Sequence, residues 1–308
     1  MADALRLPAH ASTLSTRAPW RWAAPRRLPG SDAAFGDVLE CLDAGALPST
    51  LTIGCGRQSA LATRLLRERG ARALQILDPR IDPRHWDVVI IPAHDRLRGS
   101  NVVTLLGSLN PVDDAWLAAA RMAFASLGRL PGPRTALLVG GPGGSWPLRL
   151  EEFEHAIAAL GASIADAGGS VLATTSRRTP APFVDALRRH LGRLPGLVWT
   201  GSVDGRNPYA GLLGWADRIV CTADSVNMLS EASATRLPVH VLGLSQVRGR
   251  PARFAAALRE AGRVRGFDGA LDDFRVEPLR ETARVAREVA RRLGLPDAAA
   301  MGRPSLQD

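Results

Sequence analysis

Lysine is absent from all 308 residues, so the 39 basic side chains are all arginine. That absence removes Schiff-base chemistry, pyridoxal phosphate anchoring and the P-loop lysine together. Any side-chain contact to a phosphate must therefore come from a guanidinium, whose fork suits it. Aromatics are scarce at 5%, with no stacking cluster and no zinc or RNP pattern. Nucleic acid is consequently not expected as a partner, although the net charge of +9 calls for something anionic. Cysteine is scarce too. Cys41, Cys55 and Cys221 are odd in number and lack CxxC spacing, and reduced, buried thiols in a cytoplasmic protein fit them best. No stretch is long and apolar enough to span a bilayer, no signal-like layout opens the chain, and no His/Asp cluster has metal-ligand spacing, so no metal is expected.

What is present is a βα alternation over a length that suits two α/β domains, with 46% hydrophobic residues to fill two cores. The pattern predicts a helix over Ala33–Leu42, strands over Leu51–Gly56, Ala73–Leu77 and Asp87–Pro92, and a helix over Gln58–Arg69. The unbroken apolar DVVIIP is typical of a parallel sheet covered on both faces, and the alternation implies a doubly wound first domain. Pro131–Arg134 reads as the joint, giving domains at 1–130 and 131–275. The second series runs through strands at Thr135–Val139, Ser170–Thr174, Gly196–Thr200 and Arg218–Thr222, with helices between them. The last helix, Pro278–Leu293, carries a stripe of Leu279, Ala283, Ala286, Val289, Ala290 and Leu293 that needs a partner surface, and a tail follows over 294–308.

Four polar loops follow predicted strands, where open α/β sheets bind ligands. LLVGGPGGSW places Gly140, Gly141, Gly143 and Gly144 after one strand; glycine permits close backbone approach and positive φ, as a diphosphate cradle requires. A plain tight turn is the alternative. No GxGxxG fingerprint is present, and no acidic residue closes the next strand, so nicotinamide binding fits poorly. TTSRRTP offers Ser176, Arg177 and Arg178, either arginine able to offset a diphosphate leaving group, with Arg178 favoured. Asp224 and Ser225 open a helix whose free N–H groups would face an anion, and Glu231, about two turns in, suits two sugar hydroxyls. The alternative is an ordinary βαβ unit with a solvated glutamate. PAHDR supplies His94 as a general base for an acceptor hydroxyl, across a cleft from the nucleotide, with Asp95 orienting it or acting as the base itself. A structural loop histidine is the competing reading. Asn101, Thr104 and Gly107 would line the same acceptor-side opening.

The stretch NPYAGLLGWADRIVCTADSVNMLSEASATRLPV resembles the donor-nucleotide half of GT-B glycosyltransferases. The match to their peptidoglycan branch is partial: Ser225 and Arg236 stand where those enzymes keep glycine, and Met228 where they keep threonine. With GRQS, DPR, PAHD, NVVTLLGSLNPV, LLVGGP and TSRRTP, the chain resembles, over roughly Ala4–Leu293, the bacterial and plant family named for the mitochondrial fission factor whose loss elongates mitochondria. Bacterial members are often labelled nucleoside-diphosphate-sugar epimerases. The resemblance implies two Rossmann-like domains with a cleft and a final helix, 276–293, returning to the first domain. It implies a nucleotide-sugar as substrate with no separate cofactor. Three functions stay open: glycosyl transfer to a hydroxyl acceptor in envelope glycan or glycolipid assembly, sugar-nucleotide epimerisation, or non-enzymatic docking at the inner face of an anionic membrane. Family members open with a strand and a D/G-x-x-G-x-x-x-Q loop. Here MADALRLP resembles the end of the helix that follows, so that strand is expected to be missing and an open strand position to remain.

Overall fold

The computed structural model describes residues 1–39 and 45–296; Cys41, the end of the expected Ala33–Leu42 helix and most of the expected tail lie outside the described residues. The chain divides into two compact units, Met1–Leu105 with Glu281–Asp308, and Leu106–Arg280.

The first unit holds α1 (Trp20–Ala23), β1 (Leu51–Cys55), α2 (Arg57–Glu68), β2 (Arg72–Ile76), β3 (Val88–Pro92) and β4 (Val102–Leu105). Its four strands are parallel in the order β1-β2-β3-β4. This corrects the expectation of a doubly wound first domain, because the strand order never reverses. Only the β1–β2 crossover carries an α-helix; the later connections are short loops, so each new strand pairs with its predecessor. An open sheet has two edges in any case, so the edge at β4 says nothing of a missing strand. Gly56 turns β1 into α2 at φ 86°, a conformation that favours glycine. Every residue of β3 is buried, as the apolar run implies. Ser31–Leu39 is a 3-10 segment interrupted at Gly36 rather than an α-helix. Cys55, at the end of β1, is exposed rather than buried, whereas Cys221 is buried; neither is in a disulfide.

The second unit holds α3 (Asp114–Ala123), β5 (Arg134–Val139), α4 (Leu150–Asp166), β6 (Ser170–Thr175), α5 (Ala181–Leu191), β7 (Gly196–Trp199), α6 (Tyr209–Trp215), β8 (Arg218–Thr222), α7 (Val226–Ser233), β9 (Val239–Leu242), α8 (Gly249–Glu260) and β10 (Arg265–Gly266). Its six parallel strands run β10-β9-β8-β5-β6-β7, so the order reverses between β5 and β8. In doubly wound sheets that reversal opens the crevice in which ligands sit. The division between units falls at Leu105, upstream of the expected joint near 131. The cause is α3, which packs on α6 and brings Val112, Leu117 and Leu127 into the second core. The approach is close: a Cβ on Gly128 would stand 2.5 Å from the Trp215 ring.

α9 (Glu281–Leu293) belongs to the first unit and packs on β3 and β4. Its buried face is Val285, Ala286, Val289, Ala290 and Leu293; each fully buried Val or Leu contributes about 1.5–3 kcal/mol. The expected stripe needs correction at its start. Ala283 is exposed, and Leu279 lies before the helix, packed in the second unit's core with its N–H donating to the Ser233 carbonyl at 2.8 Å. Arg284 and Arg292 tie α9 to the carbonyls of Thr104 and Ser100, each at 2.7 Å. No helix among the described residues is long and apolar enough to cross a membrane.

Candidate functional site

Strands β5, β6 and β8 end side by side, and the loops that follow them meet at the reversal point. The N–H of Gly140 donates to Thr222 Oγ1 at 2.8 Å, and that of Gly141 to Asp224 Oδ2 at 3.0 Å. The Thr222 hydroxyl donates to Asp224 Oδ1 at 2.7 Å, and Arg178 Nη2 meets Asp224 Oδ2 at 3.2 Å. Asp224 is thus a buried carboxylate held by an amide, a hydroxyl and a guanidinium, the donor set an anion site would use. The amide of Gly141 was expected to hold a diphosphate. Here it already holds an internal anion, which corrects that expectation.

The glycines earn their places by proximity, not by positive φ. A Cβ on Gly140 would lie 2.2 Å from Asp224 Oδ1, and one on Gly141 2.4 Å from the Arg178 carbonyl oxygen. A Cβ added to Gly143 or Gly144 would meet nothing within 4 Å, and Gly143 pairs with Trp146 in a tight turn through bonds of 3.0 and 2.9 Å. Gly143 is therefore a turn residue whose amide is taken by the Trp146 carbonyl, not part of a cradle. Trp146 is fully buried and donates from Nε1 to the Gly243 carbonyl at 3.2 Å, which fixes the loop.

The loop after β6 is pinned to the same strand end. The Ser176 N–H donates to the Val139 carbonyl at 2.8 Å, and the Thr179 hydroxyl donates to the carbonyls of Val139 and Gly140. Ser176 Oγ accepts from the Arg178 N–H at 3.1 Å. Arg177 and Arg178 are both exposed; Arg178 leans on Asp224 with 64% of its side chain still accessible.

Ser225 caps α7, its Oγ accepting from the Met228 N–H at 3.4 Å. Glu231 follows on α7, half-buried, and its Oε2 accepts a hydrogen bond from the Tyr209 hydroxyl. Burial pushes the Glu231 carboxyl above its ordinary range, and the Tyr209 bond partly opposes this. A solvated glutamate does not describe it. At the other end of α7, buried Arg263 donates to four carbonyls: Ser233 at 2.8 Å, Leu237 at 3.1 Å, Ala232 at 3.1 Å and Thr235 at 2.8 Å. A cation there complements the helix dipole.

In the first unit, His94 and Asp95 form the turn after β3, His94 half-buried and Asp95 buried. Arg98 braces this turn, donating to the carbonyls of Asp95 at 2.7 Å and Ala93 at 3.3 Å. Thr104, paired in register with Ile91, lies toward the same carboxyl edge, and Asn101 does not. Asn101 precedes β4 at the amino edge, and its amide donates to the carbonyls of Pro83 and Trp86, each at 2.8 Å. Its acceptor-side assignment is corrected: it clamps a turn. Gly107 belongs to the second unit and packs on Ser230, whose Oγ a Cβ would meet at 2.5 Å, so it lines no opening.

A cavity of about 330 Å³ lies elsewhere, among Arg64, Arg67, Arg72, His85 and Asp87. It sits at the amino ends of β2 and β3, and two of its arginines are ion-paired, Arg67 with Asp87 at 2.9 Å and Arg64 with Glu68 at 3.5 Å. Strand polarity argues for the carboxyl-end cluster instead.

The sequence profile of the Mitochondrial fission ELM1 family matches residues 1–293. The chain belongs to this family. The mitochondrial fission protein ELM1 of Arabidopsis thaliana is 32% identical over 274 residues, covering 79% of this chain and 64% of the plant protein. The chain thus spans less than two thirds of that relative's length. An uncharacterized protein of Rickettsia prowazekii (strain Madrid E) is 24% identical over 288 residues, with 78% of each chain covered. Among solved structures, the UDP-GlcNAc 2-epimerase of Methanocaldococcus jannaschii superposes with a TM-score of 0.56 at 14% identity, covering 94% of this chain and 88% of that one. That likeness is one of fold: two parallel α/β units of the GT-B type.

Three contributors escaped sequence reading. Tyr209 stood in the quoted NPY, one helix before the strand that leads to Glu231, and a polar aromatic at a helix start was the available signal. Thr222, the last residue of β8, was hidden by its apolar strand. Arg263 carried no signal among so many arginines.

Proposed function

We propose that the second unit binds a nucleoside-diphosphate sugar at the β5–β8 reversal and that the protein transfers the sugar to a hydroxyl acceptor. The observation that carries this reading is Glu231, a half-buried carboxylate on the short helix that Ser225 caps, a helix that starts directly after Asp224, the partner of exposed Arg178. Glu231 takes ribose hydroxyls, and Arg178 and Arg177 take the diphosphate. Asp224 already fills the Gly141 amide, so the diphosphate lies outward of it, against the guanidiniums and the Ser225 end of α7. His94 or Asp95 is the proposed base. The epimerase resemblance in fold supports a nucleotide-sugar as ligand class without choosing the reaction.

Calorimetric titration with UDP-, GDP- and CDP-sugars tests the binding step. One series should bind, and both Glu231→Gln and Arg178→Gln should weaken it by about tenfold or more. Absence of binding by all three sinks the reading. Product analysis with the bound sugar then separates transfer from epimerisation, and His94→Ala should keep donor binding while losing turnover.

A further inference from the structure

Tyr209 is the one tyrosine in the chain and opens α6, its N–H held by Asn207 Oδ1 at 3.0 Å in an Asx turn. Asn207 and Pro208 therefore fix where the ring starts, and the ring reaches α7. There its hydroxyl meets one oxygen of Glu231, Oε2. Both residues are half-buried. The donor and acceptor roles are settled by chemistry: burial and the neighbouring carboxylate hold the phenol well above its ordinary pKa, so Tyr209 keeps its proton and donates.

A carboxylate has about four lone-pair directions. The Tyr209 bond uses one on Oε2 and leaves Oε1 and the rest for a ligand. It also limits carboxylate rotation, which matters for a group asked to meet two adjacent hydroxyls at once. Without a donor, a half-buried glutamate takes up a proton more readily, and the protonated form loses acceptor capacity.

We propose that Tyr209 is a positioning residue that orients Glu231 and keeps it ionised, so that the site distinguishes ligands bearing a vicinal diol from those without one. The inference rests on the proposed donor site. Tyr209 itself touches no reacting atom.

The test uses the full 308-residue chain and whichever of UDP, GDP and CDP binds most tightly, beside its 2′,3′-dideoxy counterpart. Affinities are measured from about pH 8 down to about pH 5 for wild type, Tyr209→Phe and Glu231→Gln. Wild type should prefer the ribose form and lose that preference as the pH falls through the Glu231 pKa. Tyr209→Phe should lower ribose-form affinity about tenfold at neutral pH, barely affect the dideoxy form, and move the acid loss to higher pH. Glu231→Gln should abolish the preference at every pH. If Tyr209→Phe keeps the wild-type preference and midpoint while Glu231→Gln loses the preference, the positioning role is wrong and the donor site stands. An equal loss for both probes reduces Tyr209 to packing and also overturns the role. If Glu231→Gln keeps the preference, the donor reading itself fails. A ¹³Cζ-tyrosine label needs no folded variant. Its single resonance in wild type should shift with Glu231 ionisation and again on adding the ribose-form probe, and a flat titration would count against the contact.

Discussion

Gly141→Ala is the sharpest test of the reversal point, because its effect follows from geometry and needs no assumption about ligands. The new methyl carbon would stand 2.4 Å from the Arg178 carbonyl oxygen, against an ordinary contact that begins at 3.4 Å, so about 1 Å must be found. That carbonyl belongs to a turn tied to Val139 and Gly140 by the Ser176 N–H and the Thr179 hydroxyl, so it cannot retreat alone. The loop after β5 must move instead, and with it the Gly141 N–H that meets Asp224 at 3.0 Å. Overpacking of this size costs about 1–3 kcal/mol, and the strained hydrogen bond adds about 0.5–1.5 kcal/mol. A unit of this size should then melt about 3–18 °C lower. Gly143→Ala is the internal control, since nothing lies within 4 Å of its added carbon, and it should stay within about 0.5 kcal/mol of wild type. Urea unfolding followed by tryptophan fluorescence, with calorimetric melting alongside, reads both. Equal stabilities for the two variants would refute the close-approach argument.

Arg263→Met should destabilise the second unit by about 2–4 kcal/mol in the same assays, because four carbonyls lose a charged donor in a buried setting; a change below about 0.5 kcal/mol would show that water replaces it. Glu231 gives a pH signature. Its folded pKa lies above the unfolded value near 4.5, so in the window above 4.5 the folded state binds more protons and stability falls as pH rises through it. Glu231→Gln should therefore melt higher than wild type at neutral pH, with the gap closing below about pH 4.5; a gap that widens on acidification would contradict the raised pKa. Val289→Ala on α9 should cost about 1–3 kcal/mol, read as a lower melting temperature of the first unit, and no loss would mean the helix is not docked on β3 and β4.

Much of this fold was legible because parallel strands announce themselves as apolar runs that stop at glycine, proline or charge. Arg218–Thr222 has the predicted limits, and most second-unit elements shift by one or two residues. β4 gives little local signal, since its four residues VVTL sit inside a stretch that reads as a loop. α3 was missed although Asp113 caps it through the Trp116 N–H at 2.7 Å, and that omission displaced the expected joint. Strand order is decided by crossovers, so neither the monotonic first sheet nor the reversal in the second could be read locally. Each loop of the candidate cluster is visible in the sequence, but the bonds between the loops are not. That Asp224 occupies the Gly141 amide depends on β5 and β8 being neighbours, a fact about register across more than eighty residues.

Arg263 has a consequence for how substitutions will distribute. α7 is two turns long, too short to hold its shape unaided, and its far end is fastened by a side chain from the turn after α8. Five N–H groups on a rigid plane can serve four carbonyls; an ammonium has three hydrogens and would leave at least one of these four bonds unmade. A selection for loss of Glu231-dependent behaviour should therefore return position 263 as well as 231, with even a charge-preserving change to lysine scoring as damage. In a lysine-free chain this is one position where arginine is demanded by the count of hydrogens rather than by sign of charge, and where genome bias and local need coincide.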